Sequence, residues 1–154
     1  MIESLATKLL APFSIEHPFD ISIEHICHYY QIEIHSFSSE CSLAFAIPLE
    51  DKQCIFISTH FSEKMRNVIL AEEFSHLQLH TVNELTISPL WTLKIEKQAR
   101  TLASYLLIPS FLLYRSLQYT NSINELATTF SVPSSFMTFR LSLEQKSKRT
   151  NRLD

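Results

Sequence analysis

The stretch ILAEEFSHLQLH, Ile69 to His80, decides how this chain is read. On a helical wheel, at about 100° per residue, Met65, Val68, Ile69, His76 and Leu79 fall close to Glu72. Leu70, Phe74 and Leu77 cover the far side. The predicted helix is therefore apolar on two faces, with Glu72 and His76 inside one of them. Solvated charges do not usually lie there. A buried carboxylate needs a metal, a cation or a shared proton to offset its loss of water. The next predicted helix repeats the pattern. Glu96 lies among Ala99, Ala103 and Leu107, a small-residue stripe suited to close packing. Two helices thus present Glu72, His76 and Glu96 from apolar faces, with the donor types of a metal site.

The flanking segments supply the frame. A first helix is predicted over Ile2 to Leu10, where Ile2, Leu5, Ala6, Leu9 and Leu10 have amphipathic spacing. Pro12 and Pro18 bracket a linker. DISIEHICHYY reads as a second helix with Asp20 or Ser22 as N-cap. QIEIHSF alternates like a half-buried strand, and SLAFAIP and CIFIS are two more, joined by LEDKQ, a connector of hairpin length. Ser62 caps the long helix that ends near His80, and TVNELTISP leads out. Ser88 and Pro89 start the next helix, which runs to Leu107 before Pro109 ends it. SFLLYRSLQ is one further helical piece, and SINELATTFSVPSSFMTFRLSLEQ reads as two helices broken at SVPS.

Bulk composition narrows the class. The chain has 154 residues, 45% of them hydrophobic and 19% charged, enough for one domain with a real core. A net charge of -3 argues against a mainly nucleic-acid-binding surface. The N-terminus lacks the basic start and long apolar run of a signal peptide, and no stretch is apolar enough to span a bilayer. Cys27, Cys41 and Cys54 have no paired zinc spacing and read as reduced core thiols of a cytoplasmic protein. There is no glycine, so helix ends must use Asn, Ser or other residues at some cost in strain.

The central motif then carries a resemblance. In HExxH peptidases two His at i and i+4 bind zinc from one helix face while the Glu acts as general base. AEEFSH matches that frame with Glu72 in the first His position, Glu73 at the base and His76 at the second ligand. EKQARTLASYLLIP resembles the second signature of the ImmA/IrrE metallopeptidases, E-x-x-A-(N/D)-x-F-A-x-x-L-L-x-P, whose Glu is the third zinc ligand. By that match Glu96 is the third ligand. STHFSEKMRNVIL, His80 and ELATTFSVPSSFMTFRL are similar to this family in the same order. The resemblance implies an α+β fold: a short, mostly antiparallel three-stranded sheet on a helical zinc-peptidase-like core, followed by C-terminal helix-turn-helix-like helices. The resemblance covers the chain from about Asp20 to Leu143, and the whole is read as a metallopeptidase-like unit over 1–118, a helical segment packed on it over 119–145, and a basic flexible tail over 146–154. The implied role is the cleavage or inactivation of a transcriptional repressor in phage, mobile-element or stress regulation.

Three departures bear on chemistry. Glu72 replaces the first His, Ser75 replaces the usual Gly, and Arg100 stands where the family has Asn or Asp. A one-His, two-carboxylate set makes a bound zinc a poorer Lewis acid and its water less nucleophilic. Arg100, at i+4 from Glu96, is expected to pair with it and supply the positive charge that a metal otherwise provides. The adopted expectation is a regulatory protein with a lost or weakened zinc site, neutralised by Arg100 or Lys97, that binds a repressor. The alternative is an active metallo-endopeptidase with Glu73 as base. His80 is read as a surface imidazole rather than a substitute ligand, and His17, His25, His28, His35 and His60 as ordinary polar residues. Phe136 to Phe139 (FMTF) reads as core. The ELATTFSVPSSFMTFRL segment has helix-turn-helix rhythm, and its second helix offers Ser134, Ser135, Thr138 and Arg140, with Lys146, Lys148, Arg149 and Arg152 beyond. DNA readout normally needs more contacting side chains, so packing or partner recognition is the expected use and DNA binding a third hypothesis.

Overall fold

A computed structural model describes residues 1–48, 52–79 and 89–150. Its elements are α1 (Ile2–Leu10), α2 (Ile23–Tyr29), β1 (Ile32–Phe37), β2 (Ala44–Pro48), β3 (Gln53–Ser58), α3 (Glu63–Leu79), α4 (Pro89–Leu107), α5 (Ser110–Ser116), α6 (Ile123–Thr129) and α7 (Ser134–Thr150). The serine caps act as their sequence position predicts. Ser22 Oγ accepts the His25 N–H at 3.2 Å, and Ser62 Oγ accepts that of Met65 at 3.4 Å. Asp20, the other candidate cap for α2, instead accepts the N–H groups of Glu16 and His17 in the preceding turn. His80 and the predicted lead-out through Ser88 lie outside the described residues. Among those described, no helix is long and apolar enough to cross a membrane.

The sheet corrects one expectation. Its order is β1-β3-β2, with β3 antiparallel to β2 but parallel to β1. Three strands joined by two reversals place the first and third in the same direction. Here the third inserts between the other two, so the sheet is mixed rather than mostly antiparallel. β3 is the central strand and is accordingly the most continuously buried. Ile55 and Ile57 on one face of β3 join the main core with Ile26, Leu70, Phe74, Leu102 and Leu106 from the helices. Of the thiols, Cys27 is buried in that core and Cys54 is buried elsewhere, but Cys41 is exposed in the loop before β2, contrary to its expected place.

The missing glycines leave a trace at two helix ends. Gln31 (φ 59°) follows α2 and Ser131 (φ 52°) follows α6, both in the left-handed region that disfavours a Cβ. At α6 the Val132 N–H reaches back to Ala127 O at 2.9 Å and the Ser131 N–H to Thr128 O at 3.1 Å. That pair of bonds is the Schellman closure, which satisfies the last carbonyls of the helix.

Arg140, one of the side chains that the helix-turn-helix reading offered for DNA contact, is instead used in packing. Its side chain is 0% exposed. Nε donates to Ile108 O at 3.0 Å, Nη2 to Ser110 Oγ at 2.9 Å, and Nη1 to Glu144 Oε1. The guanidinium lies over the Tyr105 ring, 4.1 Å from its centroid. Ser110 in turn donates to Glu3, and the Tyr114 hydroxyl donates to the second Glu144 oxygen. One cation therefore ties α7 to the α4–α5 corner and, through Ser110, to α1. Ser134, Ser135 and Thr138 remain exposed on the same helix. α7 also continues to Thr150, through the first residues of the segment read as a tail.

Two stability outcomes follow from these contacts. Arg140→Ala leaves Glu144 buried beside a lost cation and should cost about 3–5 kcal/mol. A joint Arg140→Met, Glu144→Leu replacement should recover most of that, as read from urea midpoints; equal losses in both variants would refute the charge-pair explanation. Ser131→Gly should gain about 0.5–1 kcal/mol by removing the left-handed cost, measured the same way.

Candidate functional site

The site is built where α3 packs against α4, with β2 also lying against α3. On α3, Val68, Leu70, Ala71, Phe74 and Ser75 are buried. Ser75, in the position of the usual Gly, donates its hydroxyl to Ala71 O at 2.6 Å, so it is satisfied within its own helix. On α4 the small stripe is fully buried at Ala99 and Ala103, as its composition predicts.

The predicted trio is brought to one region but not to one depth. The Glu72 and His76 side chains are 18% and 16% exposed. Glu96 is 63% exposed, with Oε2 3.5 Å from His76 Nε2. Its expected place inside the stripe is corrected. Ile95 is the buried residue there, and one further step of about 100° carries Glu96 to the rim.

The cation beside this site is Arg100. Its expected partner was Glu96 on the same helix, but Nη1 crosses to Glu72 Oε1 on α3 at 3.0 Å. The guanidinium also lies over the rings of Phe136 and Phe139 on α7, 5.4 and 5.1 Å from their centroids. Lys97, the other candidate counter-charge, is exposed. Sequence reasoning named the cation but missed both its partner and its aromatic support. The only trace was the Phe pair at i and i+3 in FMTF, which marks one helix face without saying what rests on it.

The electrostatics follow from this crowding. Burial raises the pKa of Glu72, Arg100 draws it back, and Glu96 pushes it up again. Glu73 is pushed from the ordinary 4.5 up to about 7, first by burial and then by the charges of Glu96 and Glu72. The Ala46 backbone N–H on β2 pulls slightly the other way. Among the described residues, three carboxylates thus share one region with one guanidinium, that of Arg100, in direct contact with Glu72.

These residues can be compared with the needs of a metal. A three-ligand ion requires donor atoms gathered around one point. Among the described residues, the group whose donors all lie within 4.8 Å of one another is Glu33, His35 and Cys54, on the sheet. Glu72, His76 and Glu96 are not gathered in this way, and one Glu72 oxygen is held by Arg100. As folded, the helical set does not fit a three-ligand zinc ion.

No curated protein matches the sequence significantly. Among solved structures, a Mycobacterium tuberculosis transcriptional regulator shares the fold, with a TM-score of 0.68 at 14% identity. The match covers 92% of this chain and 46% of that one, so the chain spans about half the length of that relative. The family model described as the IrrE N-terminal-like domain matches residues 27–142, from α2 through the sheet, both site helices and most of α7. By that match, and with the corresponding fold in place, the chain belongs to the ImmA/IrrE family of metallopeptidase-like proteins.

Proposed function

We propose that this protein is a regulatory member of its family whose zinc site is lost or weakened, and that it acts by binding a transcriptional repressor. The carrying observation is the Arg100–Glu72 ion pair at 3.0 Å. A permanent cation satisfies the carboxylate that replaces the first zinc ligand. A divalent ion entering there must displace that cation or sit beside it, and either is unfavourable. The transcriptional-regulator description of the solved relative supports the regulatory half of the reading.

Glu73 favours a second reading, an active metallo-endopeptidase. A carboxylate pKa of about 7 suits a general base working at neutral pH. That high value arises first from burial and then from the neighbouring Glu96 and Glu72 charges, none of which requires a metal, so the two readings are separated by experiment.

Crystals of protein purified without chelator should show no full-occupancy zinc between Glu72, His76 and Glu96 by anomalous scattering. Glu72→His combined with Arg100→Asn should fill that position, because a nitrogen donor is restored and the competing cation removed. A repressor encoded nearby should be bound and left intact. Chelator-sensitive cleavage of it by the wild type, abolished in Glu73→Gln, would overturn the proposal in favour of the peptidase.

The Glu73 shift also sets a pH dependence. The folded carboxyl holds its proton more tightly than the unfolded one, so its contribution to stability is full below pH 4.5 and is lost as pH rises through about 7. Glu73→Gln keeps a neutral side chain throughout. Its urea midpoint should match the wild type near pH 4 and exceed it at pH 8; parallel profiles would show that Glu73 is not held protonated by the fold.

A further inference from the structure

We propose that Glu33, His35 and Cys54 form a binding site for a zinc-like divalent cation on the outer face of the sheet, separate from the helical centre. The parallel register sets Glu33 directly opposite Cys54, with His35 two residues along β1. The strand period of two puts all three on one face. It is the face away from the main core, which takes Ile32, Ile55 and Ile57 instead. Cys54 is buried yet lies outside that core cluster, so its thiol is sheltered on the side where the other two donors stand.

The spacing suits an ion. The donor atoms lie within 4.8 Å of one another, and Glu33 Oε2 is already 3.3 Å from His35 Nε2. Donors around tetrahedral zinc stand roughly 3.5 Å apart, so modest side-chain rotations close the site. The supports around it leave the needed atoms available. Lys52 Nζ holds the other Glu33 oxygen, Oε1, at 2.8 Å, which orients the carboxylate and leaves Oε2 toward His35. Lys52 also holds Glu33 below the usual carboxylate range. The His35 ring stacks on Phe56, which stacks on Phe45, with centroids 5.1 and 5.2 Å apart. Glu33, His35 and Lys52 also line a concavity whose far wall is Glu24, His28 and Tyr29 on the α2 side.

The donor set chooses the ion class. A thiolate with an imidazole and one carboxylate suits zinc or cobalt(II) rather than magnesium or calcium. The Cys54 thiol becomes a thiolate on binding and its proton leaves to solvent, one per ion bound. An ion held this way crosslinks β1 to β3. The inference stands on sheet geometry alone and is independent of what the helical centre does.

The test titrates cobalt(II) into metal-free full-length protein. We expect one equivalent to bind with a thiolate-to-cobalt charge-transfer band in the near ultraviolet, displaced by zinc, with one proton released. Cys54→Ser should abolish the band. His35→Ala, at an exposed position that leaves the fold intact, should weaken binding by at least about tenfold. Cys41→Ser and His76→Ala should leave the band unchanged. Absence of the band, its survival in Cys54→Ser, or its loss in Cys41→Ser or His76→Ala would overturn the proposal.

Discussion

Two neighbouring carboxylates on one turn of a packed helix must be compensated from outside that helix. Glu72 and Glu73 both lie largely out of water between α3 and its neighbours. α3's own buried face offers no permanent cation: it is otherwise Val68, Leu70, Ala71, Phe74 and Ser75, with the imidazole of His76 beside Glu72. The compensation is unequal. Glu72 receives a guanidinium from α4, while Glu73 receives one backbone N–H and is left to hold its proton to an unusually high pH. The centre's character follows from that inequality.

Arg100 manages this at low desolvation cost because it is only half inside. Its side chain is 42% exposed while its partner carboxylate is sheltered. A fully buried pair would lose the hydration of both ions; this one keeps part of the cation's. The flat guanidinium rests on Phe136 and Phe139, contacts worth roughly 0.5–1 kcal/mol each at such sites. Lysine could not make the same arrangement, since its ammonium is a compact, strongly hydrated charge. The face of α7 that carries these rings is fixed in turn by Arg140 one residue on, through the α4–α5 corner. Two arginines with opposite surroundings, one wet and one dry, therefore set where α7 lies and what its rings support.

Much of this was legible in the chain. The boundaries of α1, the capped starts of α2 and α3, the three strands and the two-faced burial of α3 all follow from spacing and cap chemistry. What failed was partner choice. Strand order is invisible because a third strand can join either neighbour, and only the packed core decides. Arg100 could be foreseen as a counter-charge, but its local option at i+4 and its distant option on α3 look alike in one dimension. The burial of Arg140 is not legible, because arginine is seldom buried and the carbonyl, hydroxyl and ring that satisfy it come from other segments. The Glu33, His35 and Cys54 group has no local ligand spacing to mark it, because these donors meet across a parallel register that joins residues about twenty apart.

The two donor groups differ in a way that bears on which can hold an ion. The helical group carries three carboxylates and one imidazole, a set that suits hard cations better than zinc. Its most sheltered carboxylate already faces a guanidinium, so an incoming ion meets repulsion where attraction should be strongest. The sheet group has fewer charges but a sulfur donor, and its one cation occupies the oxygen that an ion does not need. In the proposed sheet site the resident cation leaves the lone pair facing His35 open, whereas at the helical centre Arg100 takes up a lone pair of the carboxylate that stands in the first ligand position.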